Sequence, residues 1–370
     1  MAAIPPILRA AMAAGAAALL SACGSQQVID KISLAQAASY DLDGSRTVTA
    51  VLVGDYAKKG ETRADLLDTG SNSRLDMIPR LQTKSGKTLE YGQLRMVVFG
   101  KAFAARGIDA ILENFFRDPK ISSRLQLAVA DGEARKLLAE SGKQRDATYL
   151  RTLVEDNMKH GNLPRLGFQK TLFDYYGEGR DIVLPYLTTD RGEITVGGAA
   201  LFKGDAYAER VDANEAFLLK LLTGSARDGS YTVALPGAAD GDSLVIRCLS
   251  SKTKLRLLQQ PPVPAIRFDV RLNVLLQEVP HAMRAMTERE LAKLEEELGR
   301  TLARRIEAFA ADCAKKGLDP LGLGDFARSR TRGWRAETFY AAYPSLKAEA
   351  KVGLRIAQTG VGKMGNRLAR

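Results

Sequence analysis

The sequence predicts an α+β fold of more than one domain, in which mixed and antiparallel sheets are covered by packed helices. Three observations carry that expectation. The chain is 370 residues long, more than one typical core accommodates. Its first half alternates short apolar strands with helical stripes, and its second half turns to long strands of alternating character. A long stripe at spacings of three and four then marks one amphipathic helix in the C-terminal domain.

The elements follow in order. Thr47 to Val53 alternates, is rich in β-branched residues, and reads as a strand. Leu94 to Phe99 is a buried strand by its continuous apolar run, with a helix starting near Lys101 and broken at Gly107. Ile108, Ile111, Leu112, Phe115 and Phe116 share a helical face that ends at Asp118-Pro119, because proline cannot continue a helix. "RLQLAVADGEARKLLAE" gives a strand, a turn at Asp131-Gly132 and a short helix. Leu163 to Pro185 is a connector spaced by proline and glycine, and "GEITVGGAALFKGD" reads as a strand pair turning at Gly197-Gly198. After the helix "NEAFLLKLLTG" come "GSYTVALPG", "DSLVIRCLSSKTKLRLL" and "AIRFDVRLNVLLQEV", long antiparallel-type strands, the last two joined by the Pro-rich Gln259 to Ala265. Thr287 with Glu290 forms a capping box that opens the long helix. Its apolar face is Leu291, Leu294, Leu298, Leu302, Ile306, Phe309 and Cys313. The expected organisation is a signal segment over residues 1–22, an N-terminal α/β region over 23–200 with room for two subdomains, and a C-terminal domain over 201–370.

The formal charge of +11 suits an anionic partner, nucleic acid or a lipid surface. The N-terminus decides between them. Pro5 to Ala22 carries one charge, Arg9, before an apolar run too short to span a bilayer but of signal-peptide length. It ends in Leu20-Ser21-Ala22-Cys23, the pattern of a bacterial lipobox. Small residues there admit the signal peptidase, and the Cys23 thiol carries the lipid. Cys23 is therefore the expected lipidation site. An exported, basic, lipid-anchored protein meets anionic headgroups first, which sets nucleic acid aside.

The chain also carries fragments of catalytic motifs. "LLDTGSNS" (Leu66 to Ser73) matches the active-site loop of pepsin-like aspartic proteases, which need two aspartates sharing one proton. No second Asp-Thr-Gly or Asp-Ser-Gly exists in the chain, so Asp68 is expected in a strand that ends in a polar turn. An exported lipoprotein hydrolase using Asp68 is the alternative reading. "TGVGKMG" departs from a P-loop at Ala357 and Met364, and His160 and His281 lack a nucleophile motif. With two histidines and no CxxC, neither a metal site nor a cofactor is expected. Cys248 and Cys313 fall on core faces and are expected as buried free thiols. Arg300, Arg304 and Arg305, with Arg328, Arg330, Arg332 and Arg335, read as a solvated basic face or, functionally, a contact with anionic lipid.

Together the lipobox, "LEYGQLRMVVFGKAFAARGIDAILENFFRDP" (Leu89 to Pro119) and "LQLAVADGEARKLL" resemble the Ger(x)C family, the C subunits of nutrient-germinant receptors in spore-forming bacteria. Gly100, Ala104, Gly107, Ile108, Arg117 and Asp118 hold the family's places. Gln93 to Arg95 stand where the family has a histidine, and Lys101 where it has glutamate. "ITVGGAALFKGDAYAERVDANEAFLLKLL" and "DPLGLGDFARSRTRGW" (Asp319 to Trp334) resemble two further hallmarks. The resemblance implies a non-enzymatic subunit with no catalytic residues, lipid-anchored on the outer face of the spore's inner membrane. Its implied partners are a membrane-embedded A subunit and a transporter-like B subunit.

Overall fold

The computed structural model describes residues 32–55, 63–71, 76–144, 147–234, 243–260, 264–278 and 286–359. The signal segment, Cys23, Asn72 and Ser73, His281 and the residues after Thr359 lie outside them. Among the described residues the strands form two sheets, one of nine strands and one of four.

The larger sheet begins with β1 (Ile32–Asp43), β2 (Arg46–Asp55) and β3 (Arg63–Ser71), an antiparallel meander. A short β4 (Thr88–Glu90) and then β5 (Met96–Gly100) pair with β1 in parallel. Next in the sheet come β6 (Gln126–Ala130) and β7 (Val183–Asp190), also parallel, before β8 (Glu193–Lys203) and β9 (Ala206–Val211) close it antiparallel. The parallel centre must be covered on both faces, which is why β5 reads as an unbroken apolar run rather than an alternation. Val97 and Phe99 face one core, and Met96 and Val98 face the other. Helix α1 (Met77–Gln82) packs near β3 and β4. The first core is covered by α2 (Lys101–Ala105) and α3 (Asp109–Arg117), and α4 (Ala134–Gln144) and α5 (Tyr149–His160) lie over the second.

Two expectations are corrected. The 163–185 connector contains a helix, α6 (Phe168–Tyr176), which starts directly after Gly167. Gly197-Gly198 is not a turn: β8 continues through it with a bulge at Gly197, where its register with β7 shifts, and the chain reverses at Gly204-Asp205. The glycines are needed because a Cβ on Gly198 would lie 2.0 Å from the Val211 carbonyl oxygen, and its φ is +123°. The expected boundary at residue 200 falls inside β8.

Helix α7 (Ala213–Thr223) connects the two sheets. Its N-terminus carries a capping box of Asp212 and Glu215, and Ala216 to Leu222 are all buried. A helix apolar on every side belongs inside a core. It packs on β8 and on the second sheet, so one hydrophobic cluster runs from the first sheet into the second. Lys220, within it, donates to the Gly161 carbonyl at 2.6 Å, and burial lowers its pKa.

The second sheet has the order β10 (Ser230–Ala234), β11 (Ser243–Gln259), β12 (Ala265–Glu278), β13 (Lys347–Thr359). The first three are antiparallel, as the alternation predicts. β13 pairs with β12 in parallel. The expected long helix is α8 (Glu288–Lys315), with the Thr287–Glu290 capping box in place. Leu294, Leu298, Leu302, Ile306, Phe309 and Cys313 are buried, while Leu291 is half-buried. Leu298→Ala is expected to cost about 2–5 kcal/mol, the range for emptying a buried leucine site, read as a lower urea midpoint. An unchanged midpoint would mean that this stripe is not core.

α8 also covers the open edge of β13. Glu307 accepts the Ala350 N–H and Glu295 the Ile356 N–H, each at 2.8 Å. Twelve helical residues and six strand residues both span about 20 Å, so two glutamates about three turns apart on α8 meet two outward amides. Gly299, between them, lets the helix approach: a Cβ there would stand 3.1 Å from the Val352 carbonyl oxygen.

Candidate functional site

The hallmark glycines of the first half are packing requirements. Asp41, buried on β1, accepts the Ala134 and Arg135 N–H groups at 2.7 Å each and so holds the start of α4. A Cβ on Gly100 would lie 2.1 Å from that carboxylate. Gly107 has φ +107°, and a Cβ there would meet Asp205 at 2.2 Å. Ala104 and Ile108 are fully buried. Asp118 accepts the Tyr91 hydroxyl at 2.8 Å, and Arg117 pairs with Glu113 on the surface.

A small cavity of about 330 Å³ lies under α1 and α3, floored by Tyr40, Val51 and Phe115, with the Tyr91–Asp118 pair on its wall. The Thr49 hydroxyl, also in the lining, is buried and has no hydrogen-bond partner among the described residues.

The other polar cluster joins the chain's two halves, and its pairing spans 138 residues of sequence. Asp181, in the loop before β7, and Asp319, in the loop after α8, clasp each other's backbone. The Asp181 N–H donates to the Asp319 carbonyl at 3.0 Å, and the Asp319 N–H donates to Asp181 Oδ2 at 2.7 Å. The Asp319 side chain is 0% exposed. It accepts the Leu323 and Gly324 N–H groups, both at 2.7 Å, and so anchors α9 (Leu323–Arg328). Tyr340, from α10 (Ala336–Ala342), and Tyr343 add hydroxyl donors at 3.0 and 3.4 Å. Burial pushes the Asp319 carboxyl up to about 6, with the Gly324, Leu323 and Tyr340 donors pulling the other way. Beside it, Arg180 bridges Asp174 and Asp325 and lies over the Phe173 ring at 4.2 Å.

Gly179 makes this approach possible. Its φ is +88°, and it accepts the Asp325 N–H at 2.8 Å. A Cβ on it would fall 2.2 Å from that nitrogen. A carboxylate sealed from water and filled with donors holds structure. On this geometry the cluster is a rigid joint.

The sequence-predicted residues fall as follows. Asp68 sits within β3, opposite Ala50, half-exposed. Its carboxylate faces Arg135 at 3.2 Å and Lys84 at 3.9 Å, so its described charged partners are cations. Cys248 and Cys313 are buried and free. Burial raises both thiols, Cys248 to about 11. His160 is exposed, 3.9 Å from Asp228. Arg300, Arg328 and Arg335 pair with Glu296, Asp325 and Glu337 of their own segments, and Arg330 lies over the Phe326 ring at 3.9 Å. Arg304 bonds Thr301 on its own helix, and Arg305 and Arg332 are exposed. Among the described residues no helix is long and apolar enough to cross a membrane, and no group of three His, Cys, Asp or Glu could hold a metal ion.

Two sheets thus share one core through a buried helix and are joined by the Asp181–Asp319 clasp. Residues 25–189 match the family model for the spore germination protein N-terminal domain, and residues 197–360 match that for the spore germination B3/GerAC-like C-terminal domain. The chain belongs to this GerAC-like family of spore germination proteins. It is 26% identical over 345 residues to the spore germination protein GerQC of Bacillus cereus, covering 92% of this chain and 96% of that one. The crystal structure of the GerBC protein shares the fold, with a TM-score of 0.57 at 14% identity, over 84% of this chain and 93% of that chain.

Proposed function

We propose that this protein is a lipid-anchored, non-enzymatic subunit of a spore nutrient-germinant receptor. It sits on the outer face of the spore's inner membrane, beside membrane-embedded A and B subunits, and serves assembly or signalling there. The observation that carries this reading is the coincidence of two things in one chain. The two germination-protein models follow one another over residues 25–360, and the lipobox Leu20-Ser21-Ala22-Cys23 stands immediately before them. The geometry of Asp68 supports the non-enzymatic part, since among the described residues its charged partners are the cations Arg135 and Lys84 and not a second aspartate. The rigid joint at Asp319 supports a scaffold, a body that transmits contacts without reshaping around a substrate.

The test is the anchor. Two or three acyl chains hold a protein firmly to a bilayer, whereas charge attraction alone is screened by salt. The unaltered chain is expected to stay in spore membranes washed at high salt and to bring two membrane proteins with it on affinity purification. Cys23→Ala is expected to release it. Retention of Cys23→Ala at high salt would overturn the anchor, and purification without membrane partners would overturn the receptor subunit. Acid peptidase activity lost in Asp68→Asn would favour the hydrolase instead.

A further inference from the structure

The outer face of the second sheet is set apart by its charge. Aligning β11, β12 and β13 places Arg256, Arg267 and Glu349 in one cross-strand row. The next outward rows are Lys254, Asp269 and Lys351, then Lys252, Arg271 and Gly353, then Ser250, Asn273 and Arg355. The alternate rows, such as Leu255, Phe268 and Ala350, point inward to the core beneath. Seven cations therefore share one side of three strands with two carboxylates.

One of those carboxylates is already taken. Asp269 is held by Arg256 at 2.5 Å and Arg267 at 3.2 Å. Among the described residues Lys252, Lys254, Arg271, Lys351 and Arg355 have no ion pair, and all five are exposed. Two like-charged pairs, Lys252 with Arg271 and Arg256 with Arg267, stand directly opposite across β11 and β12. Like charges so placed destabilise a sheet, and solubility alone is served by alternating signs. Local rules broken in this way mark functional surfaces.

The face also has shape. Gly353 leaves a notch beside Arg271, and two grooves meet at it. One is about 480 Å³, between Lys252, Arg271 and Arg355, and the other about 370 Å³, between Lys254, Arg267 and Lys351. Of the seven basic residues proposed from sequence on α8 and beyond it, Arg300, Arg328 and Arg335 have carboxylate partners on their own segments and Arg330 lies over an aromatic ring. The five sheet cations named above have no such carboxylate among the described residues.

We infer that the outer face of β11–β13 is a docking surface for the phosphate headgroups of an anionic bilayer, with Arg271 and Arg355 flanking a headgroup at the Gly353 notch. The inference rests on the membrane-anchored reading, because a tethered chain lies within reach of that surface. Guanidinium groups suit it through bidentate bonds to phosphate oxygens. Each cation at an anionic leaflet strengthens attachment by about five-fold. The sheet would thus fix the orientation of a body that the lipid merely tethers.

The full lipidated chain is reconstituted in vesicles of phosphatidylcholine alone, or with phosphatidylglycerol added, and its lysines are acylated and read by mass spectrometry. Phosphatidylglycerol is expected to slow acylation of Lys252, Lys254 and Lys351 several-fold and to leave Lys293 and Lys315 on α8 unchanged. Arg271→Gln with Arg355→Gln is expected to lower the docking equilibrium constant roughly 25-fold, two cations' worth, without altering the circular dichroism. Vesicle pelleting reports the anchor separately. Pelleted protein whose sheet lysines react equally in both vesicles overturns the docking face and leaves the anchor intact. Protection in spore membranes but not in phosphatidylglycerol vesicles also overturns it, and assigns the face to an acidic protein surface.

Discussion

Gly179→Ala is expected to lower the unfolding free energy by at least about 3 kcal/mol, a larger loss than most single substitutions produce. Two costs combine. A side chain at φ +88° is itself strained by about 1–3 kcal/mol. The new Cβ also meets backbone, 2.2 Å from the Asp325 nitrogen and 2.5 Å from the Gly324 carbonyl carbon, where no side chain can swing aside. Relief requires the 177–182 loop to separate from α9, which breaks the Asp325 N–H bond to Gly179 and loosens the Asp181–Asp319 clasp. Urea unfolding of the chain measures this. A loss below about 1 kcal/mol, typical of an ordinary substitution, would show that the two backbones do not meet as described.

Asp319→Asn is expected to destabilise the protein, and to do so more at pH 5 than at pH 7.5. Leu323 and Gly324 donate to different carboxylate oxygens and an amide keeps only one of them, so at least one buried N–H loses its bond, at about 1–3 kcal/mol. The sign of the pH effect follows from the raised carboxyl. In the folded chain it titrates at about 6, against 3.8 for an ordinary aspartate. Between those values the folded state holds a proton that the unfolded state has released. This group's contribution to stability therefore grows as the pH falls through 6 towards 4, and it is absent above 6. Asparagine cannot follow. The penalty of Asp319→Asn should accordingly increase by about 1 kcal/mol between pH 7.5 and pH 5. Equal penalties at the two values would mean that the Gly324, Leu323 and Tyr340 donors hold the carboxyl at its ordinary value despite its burial.

The elements that the sequence announces are those whose cause is local. The Thr287–Glu290 box, the α8 stripe, the break at Gly107 and the stop at Asp118-Pro119 each depend on residues within a turn or two, and all are found in place. What escapes the sequence is decided at a distance. Gly197-Gly198 has the composition of a turn, and only the approach of Val211 shows that it is a close crossing of strands. β13 opens by alternating alanine with charge over Lys347 to Lys351, a weak strand signal, and is extended because β12 and α8 offer it partners. Asp181 and Asp319 look like ordinary loop aspartates until the fold brings them together. The basic face is likewise invisible along the chain, since no single strand carries more than three of its cations and only the register sums them.

The pair of glutamates along β13 also bears on how the protein is made. That strand is the final element of the described chain, and it joins β12 in parallel only after α8, α9 and α10 have intervened. Pairing across so much intervening chain is slow. Until it happens, the edge of β12 is bare and the glutamates of α8 have no amides to receive. A nascent chain in that condition offers a ready template to its neighbours. A product cut short before Lys347 would stay in it permanently. Loss of the terminal strand should therefore yield a sticky species, cleared or aggregated, in place of a smaller working unit.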